Sequence, residues 1–309
     1  MPGPYAHITM LYDLLDHDRT RTVFSDPACC RNVLTKHFHY AVLGAVSPDY
    51  PNLAAGNPLA SSWADIMHTV RAGDMLDRGI SILMDSDDSS REKQLAWLLG
   101  FAAHLVTDMT IHPVVQAKVG VYSENTAMHR ICEMHQDSYI YQRMNSGRIG
   151  ESDKFSSIVA QCSYIDKEVT LDADITVFWE KMLQDVYPEV VRVNPPDIEL
   201  WHREFIAIST REAPDGVRLF PLAHLISTRT GTSYPDYNNI DRQFIDNLYI
   251  PTPADNHLNY DDIWHHATYN IAVIWRSIEA AVLGKSTSPQ FKPWDLDTGR
   301  DESGQLVFW

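Results

Sequence analysis

The sequence predicts an all-α fold, a bundle of many helices with long loops in its C-terminal half. Apolar residues recur at helical spacing through the first half of the chain, and the two-residue alternation typical of strands is weak throughout. The 309 residues, of which 44% are hydrophobic, suffice to bury a substantial core. We expect a single domain over residues 1–309, because no internal repeat or low-complexity segment divides the chain.

The first half contains the clearest helical patterns. A stripe of Ile8, Leu11 and Leu14 predicts a short helix after Pro4. Further helices are predicted over residues 27–43, 61–75, 91–119 and 123–146. The two prolines of the segment A-V-S-P-D-Y-P-N-L predict a non-helical loop, and Pro113 predicts a kink or break late in the long helix.

The second half is less regular. Helices are predicted over residues 154–164, 171–186, 197–210 and 259–283. Residues 211–256 are rich in Pro, Gly, Asn and Asp, which predicts loops with one short helix near 239–248. The tail from residue 285 to 309 lacks helical spacing, and its last residues, G-Q-L-V-F-W, predict a short strand or an apolar plug.

Charge and composition limit the partners and the location. A net charge of -16 argues against a stable nucleic-acid complex, because binding phosphates requires clustered Lys and Arg. The start M-P-G-P-Y-A-H-I-T-M has no basic region followed by a long apolar run, and we expect no transmembrane segment. We therefore expect a cytoplasmic protein, or one exported without a cleavable signal peptide. The 4 cysteines are expected to be reduced, and the oligomeric state is left open.

Metal-competent side chains recur at helical spacing on two neighbouring predicted helices. His104, Asp108 and His112 are four residues apart, so successive members lie about 40° apart on one helix face. His129 and Glu133 repeat this step on the next helix. Polar groups on the face of an apolar helix are costly unless something binds them. This pattern predicts a site for more than one zinc ion.

Other residues can complete this site if the bundle brings them near. His7 opens the first helix, Asp49 lies between two prolines, and His68 ends W-A-D-I-M-H. Imidazole nitrogens and carboxylate oxygens are ligands suited to zinc. Asp137 lies one further turn along the face of His129, which fits either an acceptor for a ligand histidine or a solvated acid.

The order H…P-D…H…H-x3-D-x3-H…H-x3-E resembles the zinc-dependent phospholipase C superfamily, which also contains single-strand-specific nucleases. The resemblance rests on three segments: L-G-A-V-S-P-D-Y-P, W-A-D-I-M-H and L-G-F-A-A-H-L-V-T-D-M-T-I-H-P. It covers about residues 5–140. The resemblance implies an all-α bundle that holds two or three zinc ions in a cleft.

The resemblance implies that His68, His104 and Asp108 bind a first zinc ion, with Asp49 beside it. It implies that His112, His129 and Glu133 bind a second zinc ion. Asp108 and His7 would bind a third. Asp49 would orient or deprotonate the attacking water, or complete the first metal's shell. In secreted members an N-terminal Trp also binds the third zinc. Residues 1–6 contain no Trp, so we expect that third site to be built differently.

The resemblance implies a phospholipase C that cleaves phospholipid with a zinc-bound hydroxide, with peripheral contact to a membrane. The last ligand pair has the H-x3-E form of the phospholipase branch. A nuclease or nucleotide phosphodiesterase using the same zinc ions is the alternative, and a metal-stabilised binding module without catalysis is an alternative of another class. Aromatic residues of the second half are candidates for a substrate cleft, although most are expected in the core: Trp179, Trp201, Tyr234, Tyr237, Tyr249 and Trp264.

Overall fold

The computed structural model describes residues 2–15, 30–86, 89–144, 146–151, 153–165, 169–213, 216–252, 254, 256–286 and 290–309. It confirms the all-α prediction. The described α-helices are α1 (Pro4–Leu15), α2 (Cys30–Lys36), α3 (Phe38–Gly44), α4 (Pro58–Thr69), α5 (Ala72–Asp85), α6 (Arg91–Val119), α7 (Tyr122–Arg143), α8 (Lys154–Ala160), α9 (Ala173–Val186), α10 (Pro188–Val193), α11 (Ile198–Ser209), α12 (Pro221–Thr230) and α13 (Tyr260–Val282).

Short 3-10 helices and β-hairpins connect these helices. The 3-10 helices in the described part of the chain cover Ser47–Leu53, Tyr237–Asn239 and Arg242–Phe244. The strands form antiparallel pairs: β1 (Ser163–Ile165) with β2 (Val169–Leu171), β3 (Leu248–Ile250) with β4 (Asn256–Leu258), and β5 (Trp294–Asp295) with β6 (Arg300–Asp301). In the second hairpin Tyr249 lies opposite His257.

The long helix α6 is the centre of the bundle. Every residue from 94 to 115 is buried, and α6 packs against α1, α3, α5, α7 and α13. Pro113 lies inside α6 without ending it. Among the described residues, α6 is the one helix long and apolar enough to cross a membrane, yet its entire apolar window is buried inside the protein. Its composition is therefore explained by its place in the core.

Two glycines allow α3 and α6 to approach closely. A Cβ atom on Gly100 would lie 1.9 Å from the carbonyl oxygen of Ala41, and one on Gly44 would lie 2.0 Å from the carbonyl oxygen of Trp97. Both obstacles are backbone atoms, which cannot rotate away. This approach matters for the site, because Ala45, directly after α3, contacts His104 of α6 through its carbonyl oxygen.

Gly100→Ala is expected to destabilise the protein by about 1–3 kcal/mol, because the helices must separate to admit one methyl group. The measurement is the free energy of unfolding in urea. Gly56→Ala is the matched control, since a Cβ atom there meets nothing within 4 Å. Equal unfolding midpoints for the two variants would contradict the close approach.

The prediction of a single helix over 61–75 was wrong, because the helical structure is interrupted between α4 and α5. Arg71 adopts a left-handed conformation with φ of 54°. The carbonyl of Val70 accepts a hydrogen bond from the Tyr187 hydroxyl instead of one from the helix. α4 also begins earlier than predicted, at an Asn57 cap whose side chain accepts two backbone N–H groups. A tertiary contact thus ends a helix that its apolar spacing would continue.

Other boundaries also differ from the predictions. The helix predicted over 27–43 is divided at His37 into α2 and α3, and residues 27–29 lie outside the described part of the chain. The loop predicted around Pro48 is the first 3-10 helix, in which proline occupies an initial position that needs no N–H donor. The helix predicted over 239–248 was wrong, because that segment contains a 3-10 turn and β3. α12 was missed.

The C-terminal tail returns to the core. The Trp309 indole donates a hydrogen bond to the backbone oxygen of Thr110 on α6, at 2.8 Å. Val307, Phe308 and Trp309 pack against the main hydrophobic cluster, which confirms the predicted plug. That cluster includes buried residues from α1 through to the tail. A single domain over 1–309 stays a prediction. The described cysteines, Cys30, Cys132 and Cys162, are buried.

Candidate metal centre

Five metal-competent side chains from four helical elements meet in the interior. His7 comes from α1, Asp49 from the first 3-10 helix, His68 from the end of α4, and His104 and Asp108 from α6. Each is at most 6% exposed. The bundle therefore gathers residues that lie far apart in the sequence.

The Asp108 carboxylate is at the centre of this group. Its Oδ1 lies 3.2 Å from His7 Nε2, and its Oδ2 lies 3.3 Å from His104 Nε2 and 3.4 Å from His68 Nε2. Asp49 Oδ1 lies 3.8 Å from His68 Nε2. Two overlapping triplets result, each with its ligand atoms within 4.8 Å of one another: His7, His104 and Asp108, and Asp49, His68 and His104.

Backbone carbonyls determine which ring nitrogens face the centre. His68 Nδ1 lies 2.7 Å from the oxygen of Ala64, and His104 Nδ1 lies 2.8 Å from the oxygen of Ala45. A carbonyl only accepts, so each Nδ1 carries the hydrogen and each neutral ring presents a lone pair at Nε2. These two Nε2 atoms are 3.3 Å apart and face Asp108. Such a group of acceptors requires a proton or a cation between its members.

At the centre of this group the neighbouring charges outweigh the effect of burial. Burial opposes a charge on His68, but Asp108 and Asp49 beside it raise the pKa of His68 to about 9. Burial also opposes a charge on Asp108, but the imidazoles beside it, first His104, hold the pKa of that carboxyl well below its usual range. Burial lowers the pKa of His7. A proton on His68 therefore occupies the place that a cation would take.

A second set of candidate ligands lies on α6 and α7. His112 Nδ1 lies 2.6 Å from the oxygen of Leu296, and His129 Nε2 lies 2.6 Å from the oxygen of Gly120. Their other ring nitrogens are buried and have no hydrogen-bond partner among the described residues. Glu133 is buried on the same side of α7 as His129, but these three residues do not form a triplet within 4.8 Å.

The donor set suits zinc. It consists of imidazole nitrogens and carboxylate oxygens, and four of the histidines are oriented by backbone carbonyls, as metal-binding histidines usually are. The structure brings His7, Asp49, His68, His104 and Asp108 together directly. Zinc binding by each of them, and by the second set, stays a prediction.

Asp137 has a role that neither alternative anticipated. It is buried, and its carboxylate accepts hydrogen bonds from the backbone N–H of Ala6 at 2.7 Å and of Tyr5 at 3.4 Å. A Cβ atom on Gly3 would overlap this carboxylate. Asp137 therefore caps the first turn of α1 and holds the helix that carries His7. It is neither a solvated acid nor an acceptor for a ligand histidine.

The tail contributes to the site in a way that sequence reasoning missed. Leu296 uses its carbonyl to hold His112, and its N–H donates to the backbone oxygen of His68 at 2.8 Å. Asp297 Oδ1 lies 4.0 Å from His112 Nδ1. No spacing or motif in the tail indicates this, because main-chain groups leave no trace in the residue types.

A pocket opens beside Asp49 and was also missed. Its wall includes Arg130 of α7, Arg229 of α12 and the apolar side chains of Leu222, Leu225 and Ile226. The aromatic candidates for a substrate cleft do not line it. Trp179, Trp201 and Trp264 are buried in the core, and Tyr237 and Tyr249 are exposed elsewhere. Only the adjacency of Arg130 to His129 could have suggested its place.

A family model described as zinc dependent phospholipase C matches residues 6–189. No curated protein and no solved structure matches the chain. The matched range is more than half of the chain, and it contains every ligand that the resemblance implied, from His7 to Glu133. The buried histidine and aspartate cluster lies within it. This chain belongs to the zinc-dependent phospholipase C family.

Proposed function

We propose that this protein is a zinc-dependent phosphodiester hydrolase of phospholipase C type that acts on phospholipid and contacts the membrane peripherally. One observation carries the proposal. Asp49 belongs both to the buried histidine cluster and to the wall of the adjoining pocket. A carboxylate in this position faces the candidate metal ligands and a bound substrate together. Family membership supports the reaction class.

The ligand assignment follows the contacts of the buried cluster. His68, His104 and Asp108 would hold one zinc ion with Asp49 beside it, and Asp108 would share its other oxygen with an ion held by His7. His112, His129 and Glu133 would hold another. When bound, zinc lowers the pKa of a coordinated water toward about 7 and offsets the charge of a phosphodiester.

The chain's own groups supply the remaining chemistry. Asp49 accepts the proton of the attacking water as the new bond from oxygen to phosphorus forms. The bond from phosphorus to the glycerol oxygen breaks, that oxygen takes a proton from solvent water, and Asp49 returns the proton it accepted to solvent. The products are diacylglycerol and a phosphorylated head group. The candidate ligands of the buried cluster are each at most 6% exposed, and we propose the pocket beside Asp49 as the route by which substrate reaches them.

Purified protein is expected to contain two or three zinc ions and to release diacylglycerol from phosphatidylcholine or other phospholipids. Zinc is measured by mass spectrometry, and a chelated sample restored with zinc is the control. Single-stranded DNA and cyclic dinucleotides form separate arms. Cleavage of nucleotides alone would overturn the lipid assignment in favour of a nuclease or nucleotide phosphodiesterase. Full zinc content with no turnover on any phosphodiester would favour a binding module.

A further inference from the structure

Two arginines, Arg130 and Arg229, line the pocket beside Asp49. Arg130 Nη2 donates to the hydroxyl of Tyr122 at 2.9 Å. Among the described residues, neither Arg130 nor Arg229 forms an ion pair within 4.0 Å. Both side chains face the same pocket, although the chain carries a net charge of -16 and has many carboxylates to pair with. Burial opposes the charge of Arg130, but Tyr122, Glu133 and Asp49 nearby raise the pKa of its guanidinium group.

The two guanidinium groups repel each other. Burial, and then the positive charge of Arg130, lower the pKa of Arg229. Asp49 is the one acidic side chain in the described wall of the pocket, and it also faces the histidine cluster. Arg130 is half-buried and Arg229 is exposed, so solvent screens part of this repulsion, and an anion bound between the two like charges would offset the rest.

The other residues of the pocket wall indicate which class of molecule bears the anionic group. Leu222, Leu225 and Ile226 give the pocket an apolar side. An apolar wall next to paired arginines suits a lipid with an anionic head group better than a nucleotide, whose base would need a polar or aromatic surface. The described wall contains no aromatic ring. Recognition of a quaternary ammonium group such as choline commonly uses aromatic faces, and two arginines would repel it.

We propose that Arg130 and Arg229 form a subsite for a phosphate monoester on the head group, so that the preferred substrate is a phospholipid with a phosphorylated head group. This inference rests on the proposed phospholipase activity. A guanidinium pair binds a phosphate dianion through several charge-assisted hydrogen bonds. The subsite lies beside Asp49, so a phosphate bound there would orient the scissile diester against the cluster.

The test compares dihexanoyl phosphatidylinositol monophosphate with dihexanoyl phosphatidylcholine, both below their micelle concentrations so that vesicle charge has no effect. The holoenzyme is expected to show a higher kcat/KM on the phosphorylated lipid, by at least about tenfold. Arg229→Gln and Arg130→Gln are each expected to reduce this ratio by about 10- to 100-fold. Arg203→Gln, which removes an exposed arginine of α11 outside the pocket, is the matched control and should keep the ratio.

Calorimetry supplies a second measurement. Inositol bisphosphate is expected to bind the holoenzyme more tightly than phosphocholine, and Arg229→Gln should remove the difference. If Arg229→Gln and Arg130→Gln both keep the kcat/KM ratio between the two lipids and the preference for inositol bisphosphate over phosphocholine, the subsite is overturned. The proposed phospholipase activity would be unaffected by that result. Tighter binding of a nucleoside bisphosphate than of inositol bisphosphate would overturn the lipid head group. If neither lipid is hydrolysed, the proposed function fails, and the calorimetry still decides whether the arginines bind phosphate.

Discussion

Asp108→Asn is expected to remove most of the bound zinc and to lower turnover by at least about 1000-fold. The carboxylate oxygens of Asp108 contact His7, His68 and His104 within 3.4 Å. An amide has nearly the same size but lacks the charge, and its NH2 group cannot serve as a ligand. The substitution therefore removes the group that two ions would share. Zinc content by mass spectrometry and phospholipid turnover are the two measurements.

Asp172→Asn is the matched control for Asp108→Asn. Asp172 is also a buried carboxylate, but it accepts hydrogen bonds from Lys93 at 2.8 Å and from Tyr40 at 2.6 Å, outside the cluster. Its loss should lower the free energy of unfolding while leaving the zinc content unchanged. Near-normal turnover and full zinc content in Asp108→Asn would exclude the shared role of this carboxylate.

Asp49→Asn is expected to lower turnover by about 100- to 10,000-fold, because an amide cannot accept a proton from water. Its effect on zinc should be smaller than that of Asp108→Asn. Asp49 Oδ1 is 3.8 Å from the nearest imidazole nitrogen, whereas Asp108 makes three shorter contacts. The protein is expected to lose one ion at most.

The comparison between these two variants separates a base from a ligand. Turnover and zinc content are measured on the same preparations, with and without added zinc. If excess zinc restores turnover in Asp49→Asn, or if both variants lose equal amounts of metal, Asp49 is a plain ligand. Loss of turnover at nearly full zinc content would support its role toward the attacking water.

The core of the site was accessible to sequence reasoning because helical spacing is local. His104 and Asp108 lie on one face whenever residues 91–119 form a helix, and the apolar pattern predicts that helix correctly. The same reasoning failed where local and tertiary signals compete. The helix predicted over 61–75 ends early because Tyr187, from a distant segment, binds the carbonyl of Val70. Contacts of this kind do not affect the spacing of apolar residues.

The sequence alone determined the fold class, the family and the residue types that can hold zinc, because these depend on composition, spacing and order along the chain. Only the tertiary structure showed that Asp137 caps the helix of His7, and that Leu296 holds His112. It also showed that Arg130 and Arg229 share the wall beside Asp49. The reason is physical. Backbone carbonyls orient the ring nitrogens, and the packing of helices brings the two arginines together. Neither effect depends on nearness in the sequence.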